Sequence, residues 1–480
     1  MTAVAIFLLL AALVWCLVLI RHGDLLAGCL AVLLVGSCFG HSFLRLSVGP
    51  VPVTADRVVL ALLAGLCLVY RWLGWTRRRP RGATELVLSG LVGMLVVSTL
   101  THEWSFDQAR PLMKLLLYVL MPGTLYWVAR QMRLDERRLN WMFGLLAVFG
   151  GYLALTAVAE QQGLWWLVFP KYIVLGRDTE FLGRGRGPLL NPIGNGLFLT
   201  VGMFSALMLW PRAGWAGRVL VVLATVLHAA GLCATLTRSV WMGAGLALCA
   251  AAGLILPRRW SLGTLGAVTL VASLLLATQW NHLMAFKRDR NVSVHAMSQS
   301  AQLRPILAAV AWQMFQDQPL WGVGFGQYKN LDAEYINRRA VDLPLTRARA
   351  YEPHNVVLAF LAETGLAGTL LFVAVLALWG RDAWTLWRQP SLPLAARQQG
   401  LLFLCYLLAY VPNSMFHDVT IIPMAQMLMF FLAGVTRGLR QELVPEKPLP
   451  WRAVAAGSQR APTIWPGDTS ARPVTSQGGR

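Results

Sequence analysis

Arginines next to glycines are the first residues of this chain whose types and spacing suit chemistry on an anion. Arg184 and Arg186 alternate with three glycines in the run 183–187. Glycines expose backbone N–H groups, and a guanidinium can bind an oxyanion through two hydrogen bonds. The run therefore suits an anionic ligand, although a flexible basic loop would have the same sequence.

Arg238 is the second candidate, because it lies between two long apolar blocks. A charge in that position is costly unless it is paired or faces a water-filled cavity. The alternative is an interfacial arginine whose side chain reaches the membrane surface. The sequence leaves both interpretations open.

His354 and Asn355 open an apolar block after a long polar segment, and Glu363 lies nine residues further on. Pro353 suits the entry into a helix. Histidine titrates near neutral pH, so His354 could accept a proton. The alternative role is that of a capping or interface residue at the start of a helix.

The elements that must position these residues are membrane helices. Of the 480 residues, 56% are hydrophobic and only 13% are charged, and the mean hydropathy is +0.55. A soluble or disordered chain would carry more charge, and a transmembrane barrel would show short alternating segments. The composition predicts an all-α, polytopic membrane helical bundle, and the resemblance given below implies that the membrane is the inner membrane. The net charge of +20 is explained by topology, so no nucleic-acid partner is expected.

Apolar blocks of about twenty residues recur along the chain, and each is long enough to cross a bilayer. They predict twelve or thirteen transmembrane helices, with the region 25–54 the least secure because His41, Arg45 and two prolines interrupt it. The blocks lie near 2–20, 25–44, 55–73, 84–100, 111–129, 141–159, 188–210, 217–236, 239–256, 262–280, 354–379, 396–412 and 417–435.

Arginine clusters at 71–81, 130–138, 212–218, 258–259 and 381–397 set the predicted orientation, because basic loops stay in the cytoplasm. The segments 160–187 and 281–353 then lie outside. Residues 303–315 repeat apolar positions at helical spacing, which predicts an amphipathic helix that lies on the membrane or caps the bundle. The predicted regions are N-terminal transmembrane helices at 1–140, central transmembrane helices at 141–280 with an extracytoplasmic loop near 160–187, a large extracytoplasmic loop at 281–353 that contains the amphipathic helix, C-terminal transmembrane helices at 354–435, and a disordered cytoplasmic tail at 436–480.

Motifs of several enzyme classes are absent from the sequence. It contains no GxxxxGK[ST], no HExxH and no Cys/His cluster with zinc spacing. The run Gly322–Gly326 has the form GxGxG and is interpreted as a turn. These absences leave the arginines and His354 as the main candidates for chemistry.

Three stretches resemble the O-antigen ligase and O-antigen polymerase family of bacterial membrane glycosyltransferases. They are Leu-Thr-Arg-Ser-Val-Trp-Met-Gly at 236–243, Gln-Pro-Leu-Trp-Gly-Val-Gly-Phe-Gly-Gln-Tyr at 318–328, and Pro-His-Asn at 353–355 followed by Leu-Ala-Glu-Thr-Gly-Leu-Ala-Gly at 361–368. They occur in the family's order, with the large loop between the first and the third. Arg186 followed by Asn191-Pro192 is similar to the family's entry into a central helix, and the resemblance covers roughly residues 140–435.

The resemblance implies transfer of a glycan from undecaprenyl diphosphate to an acceptor hydroxyl, at the periplasmic face of the inner membrane and without a metal or other cofactor. It implies His354 as the general base, Asn355 and Glu363 as supporting residues, and inversion at the anomeric carbon. Asn355 could orient the imidazole ring. His417, beside Asp418, is the other histidine that could act as the base. The diphosphate-binding residues that it implies are Arg238, Arg186, Arg184 and Arg304.

The acceptor is a lipid or glycolipid in the favoured interpretation, which is ligation of O-antigen to lipid A–core. A single large loop with one histidine favours a ligase over a polymerase of glycan repeats or a protein O-oligosaccharyltransferase. A transporter or flippase for a lipid-linked substrate is the alternative from another class. The sequence shows no pair of repeated halves with broken helices, which many transporters have.

Overall fold

The computed structural model describes residues 25–40, 43, 53–76, 79–103, 111–175, 181–257, 259–263, 266, 294–337 and 353–444, with side chains in the range 294–337 described from residue 304. These residues form helices joined by turns and short loops. Eight of the helices described are long and apolar enough to cross a membrane. The predicted fold class, a polytopic helical membrane protein, is confirmed.

Most of the main helices follow the predicted apolar blocks, whereas two lie in the segment predicted as the large extracytoplasmic loop. In chain order they are α1 (Leu25–Phe39), α2 (Ala55–Trp72), α3 (Ala83–Thr101), α4 (Pro111–Gln131, with a π-helical middle at Leu116–Leu120), α5 (Glu136–Gln162), α6 (Pro192–Met208), α7 (Trp215–Ala234), α8 (Arg238–Ile255), α9 (Val294–Asp317), α10 (Tyr328–Asn337), α11 (Val356–Arg388), α12 (Leu394–Phe416) and α13 (Pro423–Leu443).

Two predicted spans fall wholly or largely outside the described residues, namely 2–20 and 262–280. The block at 25–44 forms only the 15-residue helix α1, whereas a full crossing takes about 20 residues. Among the predicted spans that the structure describes, the least secure one therefore forms the shortest helix.

The centre of the bundle is built around α6 and α12, which pack against each other and against α5. In α6 nearly every side chain is buried, from Pro192 to Met208. A helix that is apolar on all sides belongs in the core of a bundle. The loop before α6 and the turn after α12 are consequently held on a rigid support.

An ionic network joins α3, α4, α11 and α13. Arg437 of α13 is 1% exposed, and its guanidinium lies 2.8 Å from Glu85 of α3 and 3.3 Å from Asp382 of α11. Arg130 of α4 lies 3.0 Å from Glu85, and Arg440 lies 3.1 Å from Asp382. Removing one member of such a network would leave a buried charge without its partner, which is strongly destabilising.

The helix α13 extends beyond the residue at which the sequence predicts the tail to begin. The predicted tail starts at 436, whereas α13 ends at Leu443. Hydropathy falls at 436 because the chain becomes basic, but the charge of Arg437 is balanced by carboxylates far away in the sequence. The remainder of the predicted tail, 445–480, lies outside the described residues.

The helix α11 is broken at Gly365, whose φ of 61° and ψ of −161° are not helical. The backbone of the 319–324 segment pairs with the groups that the break releases. Leu366 N donates to Pro319 O at 2.8 Å, and Val323 N donates to Ala362 O at 2.9 Å. Irregular backbone inside a membrane protein is tolerated where protein covers it and satisfies its hydrogen bonds.

The amphipathic helix expected at 303–315 lies within α9. Its apolar residues form a buried cluster that includes Val323 before α10 and Ala362 of α11. Of the two placements left open by the sequence, this face therefore packs on the bundle. The buried residues that α9 contributes are Ile306, Leu307, Val310, Ala311 and Met314.

Candidate active site

The turn between α7 and α8 carries the first predicted site residue. Thr237 precedes α8, and Arg238 is its first helical residue. Leu236 has a positive φ of 48°, which marks a tight turn between the two helices. Thr237 donates a hydrogen bond to Thr235 O at 2.8 Å, so Arg238 begins its helix from a fixed backbone.

Arg184 lies beside this turn. Its guanidinium donates to Thr237 Oγ1 at 3.0 Å and lies 4.7 Å from the centre of the Phe181 ring. Gly185 packs closely against Ala234. A Cβ at position 185 would lie only 2.8 Å from the carbonyl oxygen of Ala234. The structure therefore brings the predicted residue Arg184 next to the start of the Arg238 helix.

Arg186 is held by a carboxylate that the sequence analysis did not single out. Arg186 is 1% exposed, and its Nε lies 3.4 Å from Oε1 of Glu160, at the end of α5. Its guanidinium also donates to Ile173 O at 2.7 Å. Binding of a diphosphate to Arg186 would require these contacts to rearrange.

Glu160 also occupies the backbone N–H groups of the glycine run. Gly187 N donates to Glu160 Oε2 at 3.0 Å, and Gly183 N donates to Oε1 at 3.3 Å. Two N–H groups of the run thus donate to a carboxyl group of the same protein. The only signal in the sequence is an acid at the end of an apolar block, which also suits an ordinary helix end. Binding of an anionic ligand by the run stays a prediction.

The loop before α6 is anchored at two further points. Tyr172 donates to Pro188 O at 2.7 Å and to Cys38 O at 3.1 Å. Burial raises the pKa of Tyr172, so the hydroxyl keeps the proton that it donates. Asn191 accepts hydrogen bonds from the N–H groups of Ile193 and Gly194 and so caps α6.

His354 lies beside His417, with ring centroids 5.9 Å apart and an interplanar angle of 59°. Asn355 is the N-cap of α11 and accepts from Leu358 N at 3.1 Å, while its Nδ2 donates to Met415 O at 3.2 Å. Asn355 is therefore engaged in capping α11 and in joining it to α12. Its role in orienting the His354 ring stays a prediction.

Arg304, another predicted arginine, lies near this histidine pair. Its guanidinium lies 5.7 Å from the centre of the Phe416 ring, one residue before His417. The backbone of His417 is fixed, because its N–H donates to Asn413 O at 2.9 Å and its C=O accepts from Val419 N at 3.0 Å. Arg304, His354 and His417 therefore meet around the end of α12.

Arg238 lies at the same end of the bundle as this group. Gly243 of α8 faces Ala409 of α12, and Ala247 of α8 faces Cys405, so the two helices are antiparallel. Arg238 precedes Gly243 by five residues, or about 7.5 Å along the helix. That distance brings it level with Ser414, three residues before His417. We call this end of the bundle the site end.

Glu363 has a different place from the one expected. It is 3% exposed, and both of its carboxylate oxygens lie 3.1 Å from Lys114 Nζ. Gly324 N donates to the carbonyl oxygen of Glu363 at 3.0 Å. Glu363 thus holds the 322–328 turn and α4 against the break in α11, and the GxGxG run is a turn, as interpreted.

Residues 223–373 match the family model described as O-antigen ligase, a range that includes Arg238, Arg304 and His354. No curated protein matches the chain. The match covers the start of α8, the helix α9 and the start of α11, whose residues meet at the site end or border it. It supports membership of the chain in the O-antigen ligase family.

Proposed function

We propose that the protein is an inner-membrane glycosyltransferase that transfers a glycan from undecaprenyl diphosphate to a hydroxyl of lipid A–core. The observation that carries the proposal is the common location of Arg238 and the His354–His417 pair at the site end, with Arg238 and His354 both inside the family match. In the proposal the site end faces the periplasm.

The reaction needs a base for the acceptor hydroxyl and positive charge for the leaving group. His354 takes the hydroxyl proton as the acceptor oxygen attacks the anomeric carbon. The bond between that carbon and the diphosphate oxygen breaks, and its electron pair passes to the diphosphate. A single displacement of this kind inverts the anomeric centre.

Arg238 is the main residue proposed to stabilise the diphosphate. A guanidinium is always protonated and can bind two phosphate oxygens at once. A cation fixed before the reaction stabilises developing charge without reorganising. Arg184 and Arg304 supply further charge nearby. Arg186 contributes chiefly by fixing the glycine run through Glu160.

The test compares arginine variants at the two ends of the bundle in a transfer assay with purified protein, a lipid-linked donor and lipid A–core. Arg238→Ala should lower the rate by about 10²- to 10³-fold, as removal of a preorganised charge-stabilising donor does. Arg238→Lys should recover little of it, because an ammonium cannot form the same pair of hydrogen bonds. The matched control is Arg218→Ala, since Arg218 lies in the first turn of α7, far from Arg238.

Near-normal transfer by Arg238→Ala would contradict the proposal and make Arg238 an interfacial residue. The acceptor is tested separately by isolating the surface glycans of a deletion strain. Unattached polymer would support ligation, whereas single repeats would identify a polymerase.

A further inference from the structure

A cavity of about 160 Å³ lies at the end of the bundle opposite to the site end. It is bordered by the start of α1, the end of α2 and the segment that joins α4 to α5. The helix α5 separates the two ends, because it runs 27 residues from Glu136 to Gln162, or about 40 Å. The cavity is therefore distinct from the candidate active site.

The cavity lies at the depth of lipid headgroups. Trp75 lines it and is 63% exposed, and nearby Trp72 is 86% exposed. Exposed tryptophans at the ends of membrane helices are typical of the membrane–water interface. Leu26 and Tyr70, both buried, form the apolar side of the cavity.

The opposite side of the cavity is basic. Arg133 and Arg138 both line it and are exposed. Arg138 also donates to Arg133 O at 3.1 Å, which holds its guanidinium beside the cavity. Two acids lie between them in the sequence. Glu136 lies 2.7 Å from Arg212, and Asp135 caps α5 by accepting a hydrogen bond from Arg138 N at 2.8 Å. The two arginines thus present positive charge next to an apolar wall.

Two polar atoms at the cavity have no hydrogen-bond partner among the described residues. They are Oγ1 of Thr76 and Oε1 of Gln131. Gln131 is only 6% exposed, and its Nε2 already donates to Trp127 O. A buried polar atom without a partner costs free energy unless a ligand or water satisfies it. The hydroxyl of Thr76 can donate, whereas Oε1 of Gln131 accepts.

We propose that this cavity binds the headgroup of an anionic phospholipid that carries a hydroxyl, as phosphatidylglycerol does. The phosphate accepts hydrogen bonds from the two arginines and Thr76, and the headgroup hydroxyl donates to Gln131. The acyl chains run along the apolar side, past Leu26 and Tyr70. Basic pockets between membrane helices on the cytoplasmic side are suited to such headgroups.

The volume is consistent with this ligand. A cavity of about 10–15 Å³ holds one water molecule, so this cavity has room for a phosphate with its ester oxygens. The inference is independent of the proposed transferase activity, because none of the residues that line the cavity belongs to the candidate active site.

The experiment measures lipid binding by native mass spectrometry of the full-length protein in a neutral detergent. The probes are phosphatidylglycerol, phosphatidylcholine and inorganic phosphate. We expect phosphatidylglycerol to bind in preference to phosphatidylcholine, and the double variant Arg133→Gln/Arg138→Gln to weaken it at least tenfold. Thr76→Val should weaken it by a smaller factor. Arg137→Gln is the matched control, because Arg137 is exposed beside Arg138 but does not line the cavity.

Three results would overturn the inference. The first is equal binding of phosphatidylcholine, and the second is an equal loss in Arg137→Gln, which would indicate attraction to the basic surface alone. The third is saturation by inorganic phosphate that displaces the lipid, which would identify a site for free phosphate. The glutamine variants keep the side chains polar. If the double arginine variant fails to accumulate, Thr76→Val, which removes no charge, still allows lipid binding to be compared with the wild-type protein.

Discussion

At the scale of single residues, Glu160 decides how the glycine run is organised. Its carboxylate contacts Arg186 and two backbone N–H groups within one buried cluster. Breaking a buried ion pair by removing one partner costs about 3–5 kcal/mol, because the other charge stays buried without its counterpart. Arg186 therefore has a role in stability in addition to any role in binding the donor.

We predict that Glu160→Gln lowers the thermal stability of the purified protein and that Arg186→Met in the same chain restores part of the loss. The double variant removes both charges, so neither is left unpaired. Strictly additive losses in stability would contradict the pairing. The rate of glycan transfer by the double variant then shows whether Arg186 also contacts the donor. We expect a partial loss of rate, because Arg184 can replace part of the charge of Arg186.

At the scale of elements, the break in α11 holds the 319–324 segment. The segment 319–324 contributes backbone groups to the break at Gly365, and Lys114 of α4 pairs with Glu363 beside it. A Cβ at Gly365 would lie 2.4 Å from the carbonyl carbon of Leu320. The break, the 319–324 segment and α4 thus form one unit with the first part of α11, which begins at Val356, two residues after His354.

Gly365→Ala should lower the free energy of unfolding by about 1–3 kcal/mol or more, because a left-handed backbone is strained for alanine and the added methyl meets Leu320. The measurement is thermal unfolding in detergent. Gly245→Ala is the matched control, since Gly245 lies within α8 and a Cβ there has open space. Equal stability of the two variants would show that the 319–324 segment does not depend on the break.

The helices could be predicted from the sequence much better than the contacts between them. The block 84–100 became α3 at 83–101, because apolar length alone decides whether a segment spans. The break at Gly365 was not predicted, since apolar residues continue through it. The partner of Arg186 was not predicted either, because Glu160 precedes it by 26 residues and only the fold brings them together.

At the scale of the whole molecule, the residues of the candidate site converge from distant segments. The sequence predicts Arg238 and His354 as site residues, and the fold brings both to the site end. The sequence also predicts Glu363 and Asn355 as supporting residues. In the fold, Glu363 pairs with Lys114 and Asn355 caps α11. Residue types and motif order are enough to indicate Arg238 and His354. The contacts of Glu363 and Asn355 depend on three-dimensional packing, which the sequence does not show.

The orientation of the bundle gives a prediction at the same scale. Arg79 donates to Met132 O at 2.7 Å, so the loops at 71–82 and 130–138 meet at the end opposite to the site end. Reporter fusions after Arg79 and after Asn330 should report opposite compartments, with Arg79 cytoplasmic. Identical reporter behaviour would contradict the predicted orientation.

The most direct test of the central claim is glycan transfer by His354→Ala, measured together with binding of the undecaprenyl-diphosphate-linked donor. The variant should lose transfer by about 10²- to 10⁴-fold, the range for removal of a general base. It should bind the donor as the wild-type protein does, because the arginines hold the diphosphate. Wild-type turnover would contradict the account, and loss of donor binding would make His354 a diphosphate ligand instead of the base.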